Sequence, residues 1–581
     1  MVDALLVAVM LTAAQADDEA LDAPVAVPPP SEEEEAPPSG LVSLTEYQIA
    51  QVNRMDVAGG RTRVSVESNA PSPRLGSFPV RFFVDNTGGP RQTINLAIRG
   101  TIAGSMHVVQ RSVEVNAGER RVVNVPVSSE MRYGTVVATG PGISEQSNAS
   151  MYFQSTYDPQ RVVLSISRPE NFEKFAGKAP RYSGANVLVH AIPPDEAPAE
   201  LASYLGYDLI VVPDGATLDS LEEGQRRALE GFVATGGHLL VGGTIRSTAM
   251  FPLAGDLKGG TANMRYGFGR LMTASAGTQA GNLRLFRETY PVSPHGPLPE
   301  YERRYNSASV VKDLLLPQAT APLGRFLLII ALFTLAIGPG SVWVARRRGP
   351  AALLVTIPGT AIVTCAMIIT YSLIADGFVV HSSTYGFTVL DKREHRAITH
   401  GITAYYANLA PSKATFGPST MIIAPFEDRR EKYIADMAWR DGLTLSGDFV
   451  PSRTYREWGF TSIEPTRARI VVKQQGGDVV VQNALGFKVA RIVVNVNGKY
   501  FTGGPIRDGG EETLAAGNTL EWAGSITGAR FSADVTQTVA SRVLDKGSFL
   551  ARAEGEGFVP TGGIGSSLNS SEQWIRGEFE E

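Results

Sequence analysis

Two long apolar runs dominate the pattern of hydrophobic and polar positions along the chain. Leu323–Ala345 and Ala351–Ala375 span 23 and 25 residues, and Arg325 is the only charged residue inside either run. A bilayer core of about 30 Å needs roughly 20 apolar residues in a helix. The runs therefore predict two transmembrane helices, because lipid leaves no partner for unpaired backbone groups. A buried hairpin of a soluble protein is the alternative, and it would normally show polar faces.

Three consecutive arginines, Arg346, Arg347 and Arg348, lie in the short segment 346–350 between the two runs. Clustered arginines mark the cytoplasmic side of a membrane, so we interpret these residues as the topology determinants and 346–350 as a cytoplasmic turn. Two crossings return the chain to its starting side. We therefore expect a two-pass protein of the bacterial inner membrane, in contact with membrane lipid, with both large flanking segments in the periplasm.

The N-terminus has the pattern of an export signal followed by a spacer. Leu5–Leu11 is apolar and Ala14-Gln15-Ala16 has the small-residue pattern of a cleavage site, which predicts a signal peptide over 1–16, although Asp3 stands where a basic residue is usual. Residues 17–40 are acidic and proline-rich, a composition typical of a disordered linker.

Short alternating segments follow over 41–160, among them Arg61–Ser68, Pro79–Asp85 and Gln92–Arg99. Strands of this length with turn signals between them predict a β-sandwich. The sequence SVEVNAGERRVVNVPV at 112–127 resembles the late hairpin of bacterial immunoglobulin-like domains. That resemblance implies an immunoglobulin-like fold and an exported location, and no particular ligand.

The spacing of hydrophobic residues changes over 161–275, where short apolar runs alternate with helical stretches. Leu221, Ala228, Leu229, Phe232 and Val233 form one apolar stripe at helical spacing. Alternation of strand and helix predicts a parallel sheet with helices on both faces.

The sequences YDLIVVPDG at 207–215 and GGHLLVGG at 236–243 resemble the class I glutamine-amidotransferase-like fold. In that family a cysteine on a strand-to-helix turn attacks the amide. The single cysteine of this chain, Cys365, lies inside the second apolar run. We therefore expect a non-catalytic domain with no catalytic or cofactor-binding residue. The corresponding strand ends are vestigial pocket candidates: Asp214, Gly215, Gly242, Gly243 and Thr244.

The remaining segments are a proline-rich connector at 276–322 and a second β-rich region at 377–581. Asn497-Gly498 is a hairpin signal. Phe426–Asp441 is expected to be a helix, with Ile434, Met437 and Ala438 on one face. The predicted fold class is thus a multidomain α+β membrane protein. Its parts are listed here: 1–16 signal peptide, 17–40 linker, 41–160 sandwich, 161–275 α/β domain, 276–322 connector, 323–345 and 351–375 transmembrane helices around the turn 346–350, and 377–581 C-terminal β-rich periplasmic domain.

Candidate chemical groups are sparse. His190 and His238 lie in apolar strand patterns and are predicted to be packed. His395 and His400 are five residues apart, a spacing that puts them on opposite faces of a strand, so we expect no metal site. Five arginines could bind anions, but they are scattered among acids and are expected to be a solvated surface: Arg393, Arg396, Arg429, Arg430 and Arg453. The chain has no phosphate-loop motif, and no cofactor is expected.

Charge argues against a nucleic-acid-binding function. The chain has 53 basic and 58 acidic residues, and nine of the acids fall in the first 40 residues, which contain no base. The rest of the chain, with 53 bases and 49 acids, has a net charge of +4 and shows no basic stripe.

These features favour a non-catalytic, membrane-anchored envelope protein that acts through periplasmic domains and binds other envelope or transporter proteins. Amidotransferase-like domains attached to membrane helices resemble auxiliary components of bacterial ABC-type exporters, including those of gliding machinery, which implies an accessory role. One alternative is a periplasmic hydrolase or amidase with a serine or threonine nucleophile, such as Thr244 or Ser247. Another is a carbohydrate- or peptidoglycan-binding module, although the five tryptophans are scattered.

Overall fold

The computed structural model describes most of the chain after residue 46. The described residues are 47–72, 77–102, 105–128, 131, 133–146, 149–152, 154–155, 161–176, 187–243, 245, 250–251, 262–274, 315–316, 323–376, 379–423, 435–517, 538–539, 543–555 and 557–581. The predicted signal peptide and acidic linker lie outside the described residues, as does the predicted connector apart from 315–316.

Strands make up most of the secondary structure. Before the apolar runs the strands are β1 (Tyr47–Ile49), β2 (Asn53–Gly60), β3 (Arg63–Ser68), β4 (Pro71–Ser72), β5 (Ser77–Asp85), β6 (Gln92–Ile102), β7 (Ser105–Val115), β8 (Arg120–Ser128), β9 (Tyr133–Thr139), β10 (Ile143–Gln146), β11 (Ala149–Tyr152), β12 (Gln154–Ser155), β13 (Arg161–Ile166), β14 (Val187–Ile192), β15 (Leu209–Val212), β16 (His238–Gly242), β17 (Ala262–Tyr266) and β18 (Gly269–Ala274).

After the apolar runs the strands are β19 (Val380–Asp391), β20 (Arg396–Ala407), β21 (Lys413–Phe416), β22 (Thr420–Ile423), β23 (Ala435–Trp439), β24 (Leu443–Gly447), β25 (Tyr455–Pro465), β26 (Arg469–Gln475), β27 (Asp478–Ala484), β28 (Lys488–Val496), β29 (Lys499–Gly503), β30 (Glu511–Ala516), β31 (Ser548–Glu554) and β32 (Ser566–Glu578). The α-helices are α1 (Pro169–Ala176), α2 (Gly215–Ser220), α3 (Glu223–Ala234), α4 (Leu323–Leu335), α5 (Ser341–Arg348) and α6 (Leu353–Asp376).

Two sheets form the N-terminal body. One has the order β10-β2-β3-β5-β8, and the other has the order β11-β9-β6-β7-β23-β24-β21. Alternate side chains of β6, among them Ile94 and Leu96, are buried in one core with Phe78 and Phe82 of β5. That alternation is what half-buried strands require, and β3, β5, β6, β7 and β8 occupy the runs that the sequence predicts.

The second of these sheets takes three strands from beyond the apolar runs. Met437 of β23 pairs in parallel register with Val109 of β7. The predicted helix Phe426–Asp441 is therefore wrong over 435–439, and the rest of that range up to 434 lies outside the described residues. The cause is tertiary structure. β23 pairs with β7 and lies between β7 and β24 in the sheet. In addition, the Trp439 indole Nε1 donates to the Pro126 carbonyl at 3.2 Å. Long-range pairing of this kind overrides a local helical pattern.

The α/β region contains a seven-stranded sheet of order β1-β14-β13-β15-β16-β18-β17, parallel except for the β17–β18 hairpin. Phe172 of α1 packs with Tyr47 on one face, at 5.3 Å between ring centroids. Leu229 and Phe232 of α3 pack in the core of the other face. The predicted parallel sheet with a helix on each face is confirmed. Residue 161 is the predicted start of the α/β domain, but β1 lies before it and pairs with β14. The parallel sheet therefore includes a strand from the predicted sandwich segment.

The C-terminal region forms an eleven-stranded sheet of order β22-β25-β20-β19-β32-β31-β28-β29-β30-β27-β26. Every pairing in it is antiparallel except β19 with β32. The expected mostly β character is confirmed. Asn497 and Gly498 have φ of 53° and 86° and join β28 to β29, with Val496 paired to Lys499. Both residues adopt the positive φ of a type I′ turn, as the Asn-Gly signal predicts.

Helices occupy both apolar runs. A π-helical segment, Ala336–Gly340, links α4 to α5, and both α4 and α5 contact α6. The chain reverses at Gly349, where φ is 85°, so the three arginines belong to the last turn of α5. Among the described residues, one helical segment, Pro350–Thr370, is long and apolar enough to cross a membrane, with a mean hydropathy of 2.2.

Candidate functional site

At the carboxyl ends of β15 and β16, where the sequence predicts a pocket, Gly242 is closely packed, whereas Gly243 has open space beside it and Asp214 is exposed. The two strands are parallel neighbours, which brings Asp214 and Gly215 close to Gly242 and Gly243. A Cβ on Gly242 would lie 1.8 Å from the Pro213 carbonyl oxygen, so the strand ends leave no room for a side chain there.

Asp214 has a helix-capping role at this edge. Its carboxylate accepts hydrogen bonds from the backbone N–H of Thr217 at 2.7 Å and from the Thr217 hydroxyl at 2.9 Å. The first of these contacts satisfies one of the free N–H groups at the start of α2, of which Gly215 is the first residue. Thr244 and Ser247 lie outside the described residues, so no nucleophile of this region can be assigned a geometry.

His190 belongs to a buried ionic network between the sandwich and the α/β sheet. Its Nε2 lies 3.4 Å from Glu67 of β3, and its Nδ1 lies 2.9 Å from the Tyr207 hydroxyl. Arg81 of β5 donates from Nη1 to Glu67 at 3.1 Å and from Nη2 to Glu196. A carboxylate beside a histidine is a pattern of general-base catalysis, but Glu67 and His190 are 4% and 1% exposed.

The electrostatics of this network favour a structural role. Burial, the largest influence, would raise the pKa of Glu67, but His190 and Arg81 outweigh it and hold that pKa at about 2. Burial also raises the pKa of the Tyr207 phenol, so Tyr207 stays neutral. His238 is buried in β16 as well. The sequence-based prediction that His190 and His238 are packed is thus confirmed.

A second ionic network joins the α/β sheet to the C-terminal sheet. Arg396 of β20 donates from Nη1 to Glu230 of α3 at 2.7 Å and from Nε to Asp391 of β19 at 3.0 Å. The Tyr266 hydroxyl also donates to Glu230. Burial would lower the pKa of Arg396, but the two carboxylates raise it. The expectation that Arg396 is a solvated surface residue is wrong, because the folded chain places it between two carboxylates. Arg429 and Arg430 lie outside the described residues.

His395 and His400 do not share a site. His400 is fully buried, with Nε2 donating toward the Thr235 carbonyl at 2.7 Å and Nδ1 at 3.0 Å from the Thr461 hydroxyl. Burial, which outweighs the contact with Thr235, lowers its pKa to about 4. His395 lies in the exposed turn between β19 and β20. The described part of the chain has no group of three side chains suited to a metal ion.

Two neighbouring cavities lie beside Asp391 and Lys392. One, of about 370 Å³, is lined by His395 and Arg467 among others. The other, of about 450 Å³, lies between the β17–β18 turn and the C-terminal sheet and is lined by Arg265, Lys392, Arg393 and Arg576 among others. We call this second cavity the arginine groove.

The sequence does not show that Arg265 and Arg576 share a groove, because they are far apart in the chain and belong to different sheets. Of the groove's cations, only Arg393 is among the arginines that the sequence singles out. The signal missed was the pair of arginines on the β17–β18 hairpin, which a register assignment would have placed opposite each other.

No protein-family model matches the chain, and no curated protein matches it.

Proposed function

We propose that the chain is a non-catalytic, membrane-anchored envelope protein whose extracytoplasmic body binds partner proteins, as an accessory component of an ABC-type exporter or a comparable envelope complex. The observation that carries this proposal is the parallel pairing of β7 with β23, one from each side of the helical hairpin. A body built from both flanks must fold on one side of any membrane that the hairpin crosses.

The surface of the helical hairpin supports the anchor. Leu354 and Ile362 are 81% and 68% exposed, and the described side chains of α6 are not buried against the body. A contiguous apolar surface of this kind marks a membrane or protein contact. Near the arginine tip, the Arg347 guanidinium stacks over the Trp343 ring at 4.3 Å. Tryptophan and arginine together are typical of a membrane–water boundary.

The ionic networks support binding over catalysis. Each network places a buried carboxylate between sheets, Glu67 in one and Glu230 in the other, where it holds the sheets together and is closed to a substrate. The resemblance to the amidotransferase-like family rests on the two strand-end sequences, and a mainly parallel sheet is compatible with it. A body of this kind offers broad surfaces to a permease, through which a cytoplasmic ATPase would associate.

Affinity purification from detergent-solubilised membranes at native expression tests the proposal. We expect an ATPase and a permease to co-purify with the tagged chain and not with an unrelated two-pass protein carrying the same tag. Thr244→Ala should leave this co-purification and any dependent phenotype unchanged. A chain that purifies alone would contradict the accessory role, and a loss of activity in folded Thr244→Ala would favour the hydrolase.

A further inference from the structure

Arg576 is a positively charged side chain in the arginine groove. Neighbouring groups orient it by hydrogen bonds but do not neutralise its charge. Arg576 of β32 donates from Nη1 to the Thr538 carbonyl at 3.2 Å and from Nη2 to the Val543 carbonyl at 2.9 Å. Carbonyl groups orient a guanidinium but carry no net charge. The carboxylate of Asp545 lies 3.9 Å away and is 88% exposed. An ion pair so open to solvent contributes little.

Arg265 adds a second cation to the same groove. It is exposed and lies directly opposite Arg270 across the β17–β18 hairpin, so two like charges share one face. Like charges at such a position destabilise a hairpin. After burial, which is the largest influence, the charge of Arg265 is among the causes that lower the pKa of Arg576. Within the described ranges neither Arg265 nor Arg270 forms an ion pair.

Apart from Asp545, two described carboxylates line the groove, and both are already engaged. Glu578 lies 3.2 Å from the Lys392 ammonium and 4.0 Å from the Arg393 guanidinium, so one negative charge serves two cations. Asp391 accepts from Arg396 at 3.0 Å and from the backbone N–H of Arg393 at 3.0 Å. Neither carboxylate is left to pair with Arg265 or Arg576.

We propose that the arginine groove binds a phosphate group carried by a small ligand, with Arg265 and Arg576 as its two principal contacts and Arg393 at the rim. A guanidinium presents a planar fork of donors that matches phosphate oxygens. The volume of about 450 Å³ is that of a site for a small molecule. This proposal does not rest on the membrane-anchored role.

A phosphate group could come from a soluble ligand or from a lipid headgroup. Strand β19 begins at Val380, four residues after the last residue of α6, and reaches the groove at Asp391. A strand of that length extends roughly 35 Å. The groove thus lies far along the chain path from the helical hairpin, which favours a soluble ligand.

Calorimetric titration of the full chain in a neutral detergent tests the site, with inorganic phosphate as one probe and soluble dihexanoyl phosphatidylglycerol as the other. We expect saturable phosphate binding that Arg265→Glu weakens about tenfold or more, because a hydrogen bond to a charged group contributes on that order. Arg440→Glu is the matched control, since Arg440 is 85% exposed and outside the groove, and it should bind as the wild type does.

Arg576→Gln provides a second variant, and urea unfolding verifies that each variant is folded. Binding of the lipid probe alone, lost in Arg265→Glu, would support the phosphate site and assign its source to lipid. If neither probe binds saturably, or if Arg265→Glu and Arg440→Glu bind equally, the groove is not a phosphate site.

Discussion

Buried ionic side chains join the three sheet systems of this protein. Glu67 and Arg81 meet His190 between the sandwich and the parallel sheet, and Arg396 meets Glu230 between the parallel sheet and the C-terminal sheet. Removing one partner of a buried ion pair strands the other charge, at a cost of about 3–5 kcal/mol. These contacts therefore fix which sheets associate as well as how tightly they do so.

The sequence predicts the burial of His190 and His238 because each lies in an apolar strand. It cannot predict the partners, since Glu67 is 123 residues from His190 and Arg396 is 166 residues from Glu230. Burial depends on local pattern, whereas a long-range ion pair depends on how separate sheets dock.

His400 should make stability depend on pH. Its pKa falls from an ordinary 6.5 to about 4 in the folded protein, chiefly through burial. Between these values the unfolded chain binds more protons, so the free energy of unfolding falls as the pH falls from 6.5 to about 4. The slope from one such group reaches about 1.4 kcal/mol per pH unit. In His400→Asn this contribution to the slope should disappear.

Urea unfolding across this pH range, in one detergent, measures the slope. His395→Asn is the control, because His395 is exposed and its φ of 49° suits asparagine. It should keep the wild-type slope. Equal slopes in His400→Asn and the wild type would show that His400 is protonated in the folded state.

At the scale of elements, the spacing of hydrophobic residues predicts where the strands lie better than it predicts which strands pair with one another. The runs over 161–243 become β13, β14, β15 and β16, all parallel as expected. The segment 435–439 fails because Met437 and Ala438 fit a helical face locally but pair with β7 and β24 in the folded chain. The local sequence pattern gives no indication of this pairing.

The β28–β29 turn gives an element-scale prediction. Gly498 has a φ of 86°, and a Cβ there would meet nothing closer than the Lys546 side chain at 4.0 Å. Gly498→Ala should therefore cost only the strain of a positive φ, about 1 kcal/mol. The urea midpoint of the full chain should fall.

Gly224→Ala is the matched substitution at a position without that strain. Gly224 lies in the first turn of α3, and its Cβ would make an ordinary contact with the Ala199 side chain at 3.4 Å. Alanine favours helix over glycine, so stability should hold or rise. If both variants lost stability equally, the turn conformation would not be the cause.

At the scale of the whole molecule, the chain folds back across its predicted domain limits. β1 joins the parallel sheet, and β21, β23 and β24 extend a sheet that begins before the helical hairpin. Composition and period delimit segments of the chain, and they identified the α/β and C-terminal regions. Which segments share a sheet is decided by edge pairing, which leaves no signature in a single sequence.

The sheet shared by strands from both sides of the helical hairpin leads to a prediction about membrane topology. If α4–α5 and α6 each cross the membrane, the pairing of β7 with β23 requires both flanks to lie on one side. Arg346, Arg347 and Arg348 lie at the tip, and from the positive-inside rule we expect both flanks on the extracytoplasmic side. Alkaline phosphatase fused after Glu581 should therefore be active, and a fluorescent protein that matures only in the cytoplasm should be dark there.

Replacing the three arginines with asparagine provides the matched variant, because it removes the orienting charge and keeps both helices. The fraction of chains in the expected orientation should fall, while the helices still insert through their apolar surfaces. A fluorescent, phosphatase-inactive fusion at Glu581 of the wild type would place the C-terminus in the cytoplasm. With an exported N-terminal body, that outcome would separate β7 from β23 by a membrane, so one apolar run would not span and Pro339 or Pro358 would be the first position to test.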